Sequence, residues 1–207
     1  MLQTIFDRPI YLNRLKKYQN SEFIKVITGV RRSGKTFVLE MFRRYLQTSG
    51  VAEAQIVFLN FESMQHQALR TAETLYRYVM ERAQAGQKMY LFFDEIQEVA
   101  QWEKAINSFR IELDCDIYIT GSNAKLLSGE LATVLGGRYV EFTIYPFSFA
   151  EFLELYRTVE PGASDAAAFQ QYLTLGGMPY LANLRYAPEP CRQYLHDIYN
   201  SVVLNDV

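Results

Sequence analysis

Residues 28–36 carry the side-chain types and the spacing that hold a polyphosphate. They read Thr-Gly-Val-Arg-Arg-Ser-Gly-Lys-Thr, which is the pattern of the phosphate-binding loop called Walker A. A run of β-formers precedes this stretch and apolar residues at helical spacing follow it, so it is predicted to join a strand to a helix. In that context backbone N–H groups at the amino end of a helix bind phosphate.

The sequence therefore predicts a nucleoside triphosphate site at this stretch, which we call the phosphate loop. Lys35 is predicted to reach the β- and γ-phosphates, and the Thr36 hydroxyl to ligate Mg²⁺. Arg31 and Arg32, inside the loop, are expected to face solvent or a partner. The predicted nucleotide ligands in this stretch are Gly29, Val30, Arg31, Arg32, Ser33, Gly34, Lys35, Thr36 and Phe37.

Two consecutive carboxylates follow an apolar run further along the chain. Asp94 and Glu95 come directly after residues 89–93, Met-Tyr-Leu-Phe-Phe, which is typical of a buried strand. An isolated Asp-Glu pair is more often a solvated turn, but with Lys35 upstream it is interpreted as the Walker B position. Asp94 is then predicted to hold Mg²⁺, and Glu95 to polarise the attacking water.

Three further polar residues are candidates for the same chemistry, each with an ordinary alternative. Ser122 or Asn123, after the fourth predicted strand, could contact the γ-phosphate or the lytic water, but Gly-Ser-Asn is also a common turn. Arg138, between a Gly-Gly turn and a predicted strand, could act as an arginine finger on developing charge. A surface arginine is the alternative.

Composition narrows the class of protein. The net charge of −2 over 207 residues gives no electrostatic reason to expect a nucleic-acid partner, and the basic cluster Arg8, Arg14, Lys16 and Lys17 is interpreted as a solvated helix side. The longest apolar run is far shorter than the ~20 residues of a membrane helix. The expectation is a soluble, cytoplasmic protein with no membrane partner and with reduced cysteines.

The order of predicted elements indicates an α/β protein. Five strands alternating with helices predict a P-loop NTPase parallel sheet with helices on both faces and a site at the carboxyl ends of the strands. Beyond residue 147 the pattern is entirely helical. We therefore expect a nucleotide-binding domain at 1–147 and a small helical lid at 148–207, the latter truncated at its carboxyl end.

Several short blocks together resemble a known family. They lie at residues 27–36, 93–97, 102–103, 119–122, 137–138, 145–149, 175–179 and 197–199, so they cover nearly the whole chain. Their order is similar to that of the prokaryotic AAA-type ATPases that usually carry a C-terminal domain of unknown function. The resemblance implies an AAA+ core, ATP as cofactor and a winged-helix-like lid. It also implies that Pro179, in Gly177-Met178-Pro179, contacts nucleotide as in signalling ATPases of the STAND type.

Two functions are consistent with these residues. The first is Mg-dependent ATP hydrolysis by an AAA+ P-loop domain, with turnover coupled to movement of the lid. The second is a STAND-like switch that holds ATP or ADP with little turnover. A kinase would need an acceptor-binding signature, and the sequence shows none. ATP is preferred to GTP because no guanine-selecting Asn-Lys-x-Asp sequence occurs. The expected partners are ATP or ADP, a protein or DNA partner that the sequence does not name, and a second copy of the chain through Arg138.

Overall fold

Five short apolar runs form one parallel sheet. The structure is a computed structural model, and it describes residues 6–121 and 135–205. The strands are β1 (Ile24–Thr28), β2 (Ile56–Asn60), β3 (Met89–Asp94), β4 (Cys115–Thr120) and β5 (Tyr139–Thr143), in the order β2-β3-β4-β1-β5. Every pairing is parallel. Every residue of β1 and β3 is buried, which is expected for inner strands of a sheet covered on both faces.

The register aligns the last residues of neighbouring strands along one edge of the sheet. Asn60 at the end of β2 lies in register with Asp94 at the end of β3. Phe93 pairs with Ile119, so Thr120 at the end of β4 lies beside Asp94. Ile27 pairs in turn with Thr120. Polar residues that end separate apolar strands are thereby brought together.

Helices cover both faces of this sheet. They are α1 (Pro9–Lys16), α2 (Lys35–Thr48), α3 (Ala72–Met80) and α4 (Trp102–Glu112). Leu91 and Phe93 share a core with α3 and α4. The intervening Phe92 points to the other face, where its ring lies 6.4 Å from that of Phe42 on α2. The predicted α/β class, with its parallel sheet between helices, is confirmed.

The elements that follow the sheet, within residues 144–205, are helical. They are α5 (Phe149–Val159), α6 (Asp165–Leu175), a 3₁₀ turn (Pro179–Ala182) and α7 (Pro188–Asn205). Ser148 caps α5 in a capping box with Glu151, and Ser164 caps α6. Their core is formed by Phe147, Phe152, Leu175, Leu181, Tyr186 and Cys191. The predicted helical region beyond the sheet is confirmed.

The chain packs as two compact units. Of the described residues, one unit contains 9–28, 36–121 and 135–143, which include the whole sheet. The other contains 6–8, 29–35 and 144–205, so residues 29–35 of the phosphate loop pack with the helical region. The domain division at residue 147 stays a prediction.

A buried ion pair lies inside the sheet unit. Lys25 of β1 and Asp116 of β4 are both without solvent exposure, and Lys25 Nζ donates to an Asp116 carboxylate oxygen. Asp116 also accepts from the Asn20 N–H at 2.7 Å and from the Tyr118 hydroxyl at 2.8 Å. Burial lowers the pKa of Lys25 below its ordinary value, although Asp116 opposes that shift. The pair is satisfied only while both partners are present.

Within the described residues, no helix combines the length and the apolar character needed to cross a membrane.

Candidate functional site

The phosphate loop is closed by contacts among its own residues. β1 ends at Thr28 and α2 begins at Lys35. The Ser33 N–H donates to the Val30 carbonyl at 3.1 Å, and Lys35 Nζ donates to the Gly29 carbonyl at 3.1 Å. Lys35 is 6% exposed, so its ammonium group lies against the loop backbone.

Two features of the loop suit a polyphosphate. Ser33 Oγ is buried and has no hydrogen-bond partner among the described residues, so this hydroxyl is available to a ligand oxygen. Gly29 has a φ of +140°, and a Cβ there would lie 2.2 Å from the Ile144 carbonyl oxygen. Only glycine adopts this positive φ at little cost and also lacks the Cβ that would clash with the Ile144 carbonyl.

Asp94 is the most buried carboxylate of the site, and all its described partners are neutral. It has no solvent exposure. Its Oδ2 accepts from Thr36 Oγ1 at 2.8 Å and from Asn60 Nδ2 at 2.9 Å. Its Oδ1 accepts from Thr120 Oγ1 at 2.5 Å. Burial raises the pKa of Asp94 above its ordinary value, although the threonine hydrogen bonds oppose that shift.

This arrangement fits Mg²⁺. A carboxylate and a hydroxyl oxygen lie within hydrogen-bond distance of each other, and hard oxygen ligands of this kind are those that Mg²⁺ takes. A carboxylate that is buried among neutral donors also gains from a nearby cation. Asp94 and Thr36 are thus brought together as the sequence predicted.

Glu95 is held in an uncommon backbone conformation directly after Asp94. Its φ of 54° and ψ of 52° are left-handed, which costs free energy for a residue other than glycine and is often found at functional sites. Its N–H donates to Thr120 Oγ1 at 3.0 Å. Its carboxylate accepts from Gln97 Nε2 at 2.5 Å, so Thr120 holds the backbone and Gln97 holds the side chain.

Three residues of this cluster were missed from the sequence. Asn60 and Thr120 are the last residues of β2 and β4 and contact Asp94 directly. A polar residue that ends an apolar strand was a usable signal for both, and it is the signal that identified Asp94. Gln97 gave no signal, because its contact depends on the left-handed turn at Glu95.

Arg138 lies away from the two carboxylates. It is exposed, and its carbonyl accepts from the Ile24 N–H at 3.0 Å, which places it at the amino end of β1 and β5. Asp94 and Glu95 lie at the carboxyl edge, about 15 Å away along the strand direction alone for a strand of this length. Within one chain, the structure does not bring Arg138 together with them.

The other predicted residues occupy varied positions. Phe37 is 52% exposed on the first turn of α2, and Arg32 lies 5.1 Å from the ring of Tyr194 on α7. Pro179 opens a 3₁₀ turn, two residues after Gly177, whose carbonyl accepts from the Phe147 N–H at 2.7 Å. Val30 and Arg31 are exposed. The predicted residues Ser122 and Asn123 lie outside the described residues.

Residues 21–153, which hold the loop and both carboxylates, match a family model described as an AAA domain. The chain belongs to this AAA domain family. It is 43% identical over 209 residues to an uncharacterized protein of Haemophilus influenzae, covering 100% of this chain and 52% of that protein. It is 32% identical over 190 residues to an uncharacterized protein of Methanocaldococcus jannaschii, covering 85% of this chain and 41% of that protein. The chain thus spans about half the length of the curated relatives it matches.

Solved structures share the AAA-type P-loop ATPase fold with this AAA domain. A Walker-type ATPase of Pyrococcus abyssi aligns over 98% of this chain and 75% of its own, with a TM-score of 0.63 and 16% identity. AMPPCP-bound DnaA of Aquifex aeolicus aligns over 99% of this chain and 69% of its own, with a TM-score of 0.58 and 9% identity. Aeropyrum pernix Orc1 in complex with DNA aligns over 98% of this chain and 69% of its own, with a TM-score of 0.56 and 12% identity. At these identities the likeness is one of fold.

Proposed function

We propose that this AAA domain binds Mg-ATP and hydrolyses its β–γ phosphoanhydride bond. The observation that carries the proposal is the buried Asp94 carboxylate, which accepts from the Thr36 hydroxyl at 2.8 Å and whose described partners are all neutral. Thr36 is the last residue of the phosphate loop, so one of the two candidate metal ligands belongs to the loop itself. The nucleotide complex of the Aquifex DnaA fold supports the choice of ligand.

The loop residues bind the triphosphate in this proposal. Backbone N–H groups of Gly29–Thr36 and the Ser33 hydroxyl donate to phosphate oxygens. Lys35 exchanges the Gly29 carbonyl for the β- and γ-phosphates. Phe37, which is exposed beside the loop, and Pro179 are proposed to contact the nucleotide.

Glu95 is the proposed catalytic base. Its carboxylate orients a water molecule toward the γ-phosphorus and accepts a proton from it. Thr120 and Gln97 act as positioning residues, because they hold the Glu95 backbone and carboxylate in place. When bound, Mg²⁺ neutralises the charge that develops on the transferred phosphoryl group. Ser122 or Asn123 is proposed to contact the γ-phosphate.

The Asp94→Asn variant tests the metal site through stability and Mg²⁺ dependence. Because burial raises the pKa of Asp94 in the folded state, its stabilising contribution is present at low pH and is lost as the pH rises through that pKa. Without Mg²⁺, we therefore expect Asp94→Asn to have a higher melting temperature than the native chain at pH 8. This difference should become smaller toward pH 5. Mg²⁺ should raise the melting temperature of the ATP complex only in the native chain.

Asp114→Asn is the matched control for that experiment. Asp114 is an exposed carboxylate paired with Lys88, and its replacement should leave the Mg²⁺ dependence at the native value. Equal responses of Asp94→Asn and native chains to Mg²⁺ would exclude Asp94 as a metal ligand.

Arg138 is proposed to act on a neighbouring copy of the chain. The structure separates it from its own Asp94 and Glu95, while its exposure leaves the guanidinium open to a second subunit. We expect ATPase turnover per chain to rise with protein concentration, and Arg138→Ala to remove that rise. Arg185→Ala, another charge removal, is the control. A rate per chain that is independent of concentration would contradict the proposal.

A nucleotide-dependent switch is the second candidate. The Glu95 carboxylate is already hydrogen-bonded to Gln97 at 2.5 Å, which favours a chain that holds ATP until a partner frees Glu95. ATP binding without phosphate release would support this candidate. The partner is proposed to be a protein or DNA in the cytoplasm. The Orc1 likeness, from a structure solved with DNA, points toward DNA, whereas the net charge does not.

A further inference from the structure

We propose that Arg8 is a positioning residue that fixes the Ser33–Gly34 peptide of the phosphate loop and joins it to the first turn of α5. This inference rests on the proposed nucleotide site and adds a means by which the loop and the helical region influence one another. All the residues involved lie in the same compact unit.

Arg8 is a buried arginine with partners from three parts of the chain. It is 4% exposed, although its place in the sequence suggested a solvated side chain, and that prediction is wrong for Arg8. Its Nη1 donates to the Ser33 carbonyl at 3.3 Å and to the Tyr145 carbonyl at 3.0 Å. Its Nε and Nη2 donate to the two carboxylate oxygens of Glu151 at 2.7 and 3.2 Å.

The burial of this charge requires such a set of acceptors. A desolvated guanidinium is costly unless it is paired and hydrogen-bonded, and the two-pronged contact with Glu151 supplies a charged partner in a fixed geometry. The guanidinium also lies 5.0 Å from the centre of the Phe147 ring. Arg8 is therefore held in one place before any ligand arrives.

The contact with Ser33 sets the direction of a phosphate-binding donor. In a trans peptide the C=O and the following N–H point to opposite sides. When Arg8 holds the Ser33 carbonyl on one side, the Gly34 N–H faces the other. Gly34 has a φ of +101°, a conformation that glycine adopts at little cost. Arg8 thus orients a donor of the loop without touching phosphate.

The same side chain reaches the start of the helical region. Glu151 is the capping-box residue of α5, and its Oε2 accepts from the Ser148 N–H at 2.9 Å. Burial alone would raise the pKa of Glu151, but hydrogen bonds from Arg8 and Ser148 lower it below its ordinary value. Glu151 therefore stays ionised as both cap and partner. A rotation of the Ser33–Gly34 peptide would move Arg8, and through it the amino end of α5.

The test compares Arg8→Ala and Arg8→Lys with the native chain in equilibrium titrations with a fluorescent ATP (methylanthraniloyl-ATP) and the matching adenosine derivative. We expect Arg8→Ala to weaken ATP binding about 10- to 100-fold, the range for loss of charge-assisted hydrogen bonds, with adenosine affinity unchanged. Arg8→Lys should be intermediate, because one ammonium cannot hold all of these acceptors in the geometry of a guanidinium. Thermal melts show which variants are folded at the titration temperature.

Arg157→Ala is the matched control. Arg157 is also an arginine paired with a carboxylate, Asp165 at 2.6 Å, but its side chain is 52% exposed and it lies at the far end of α5. It should bind both probes as the native chain does. The link to α5 is tested by Glu151→Gln, which should weaken ATP binding several-fold in the native background and have no further effect beside Arg8→Ala.

The outcomes separate this inference from the proposed function. If the native chain and Arg8→Ala bind ATP equally, the positioning role is wrong and the nucleotide site stands. Equal losses of ATP and adenosine affinity would show a general structural role and would also overturn the inference. A native chain that does not bind ATP would remove both proposals. A loss confined to ATP supports the inference.

Discussion

The Glu95→Gln variant is expected to bind ATP with native affinity and to lose turnover by about 10²- to 10⁴-fold, the range for removal of a general base. Glutamine keeps the size of the side chain and an oxygen that can accept from Gln97. It cannot accept a proton from water at neutral pH. Phosphate release from Mg-ATP at saturating nucleotide measures the loss, and a binding titration checks the affinity.

Glu98→Gln is the control for that experiment. Glu98 is the last residue of a 3₁₀ turn, Ile96–Glu98, that directly follows Glu95, so its replacement removes a nearby charge and leaves the proposed base in place. Native-like turnover of Glu98→Gln together with loss in Glu95→Gln would support the assignment. Equal turnover in Glu95→Gln and native chains would exclude Glu95 as the base. Binding without turnover in every chain would favour the switch.

The Asp116→Ala variant is expected to lose about 3–5 kcal/mol of unfolding free energy, the usual cost of breaking a buried ion pair. The Lys25 ammonium would then remain buried, with the Ser21 carbonyl at 3.2 Å as its remaining described acceptor. The total free energy of unfolding of a native protein is about 5–15 kcal/mol, so this loss would remove a large part of it. Urea unfolding followed by circular dichroism measures the change.

The pH dependence of the Asp116→Ala defect has a definite sign. Burial lowers the pKa of Lys25, and loss of Asp116 lowers it further. The unfolded chain then binds the proton more tightly than the folded chain, so stability rises as the pH rises toward the ordinary lysine pKa. We expect the defect to be smaller at pH 10 than at pH 7. A defect that does not change with pH would contradict the assignment to Lys25.

Two further variants are compared with Asp116→Ala in the same unfolding experiment. Asp114→Ala breaks the exposed Lys88–Asp114 pair and should cost less than about 1 kcal/mol. Replacing Lys25 with Met and Asp116 with Leu together removes both charges and should recover the part of the loss that comes from the unpaired ammonium. The cost of leaving the Asn20 N–H and the Tyr118 hydroxyl without their acceptor remains.

The parts of the fold and the site that the sequence predicted are those with local signals. The phosphate loop and Asp94 each follow an apolar strand, and the fold rule for parallel sheets places such residues at one edge. Thr36 and Asp94 are accordingly in contact. Arg138 was also selected from a local signal, the Gly-Gly turn before it. Because β5 runs parallel to the other strands, a residue that precedes β5 lies at the amino edge of the sheet, opposite Asp94.

The parts that were missed depend on contacts between residues far apart in the sequence. Arg8 was interpreted as a solvated side chain because nothing near it indicates burial, and its partner Glu151 is 143 positions away. Asn60 meets Asp94 only because β2 lies beside β3 in the register of the sheet. The left-handed turn at Glu95, which brings Gln97 to its carboxylate, has no signature in residue type.

The most direct test of the account is equilibrium binding of fluorescent ATP to the native chain and to Lys35→Ala in the presence of Mg²⁺. Lys35 is the side chain that we propose to bind the β- and γ-phosphates, and among its described partners it makes a hydrogen bond to the loop carbonyl of Gly29. Its loss should therefore leave the fold intact. We predict saturable binding by the native chain, a loss of at least about 100-fold in Lys35→Ala, and matching thermal melts without nucleotide. Equal affinity in the two chains would contradict the assignment of the phosphate loop.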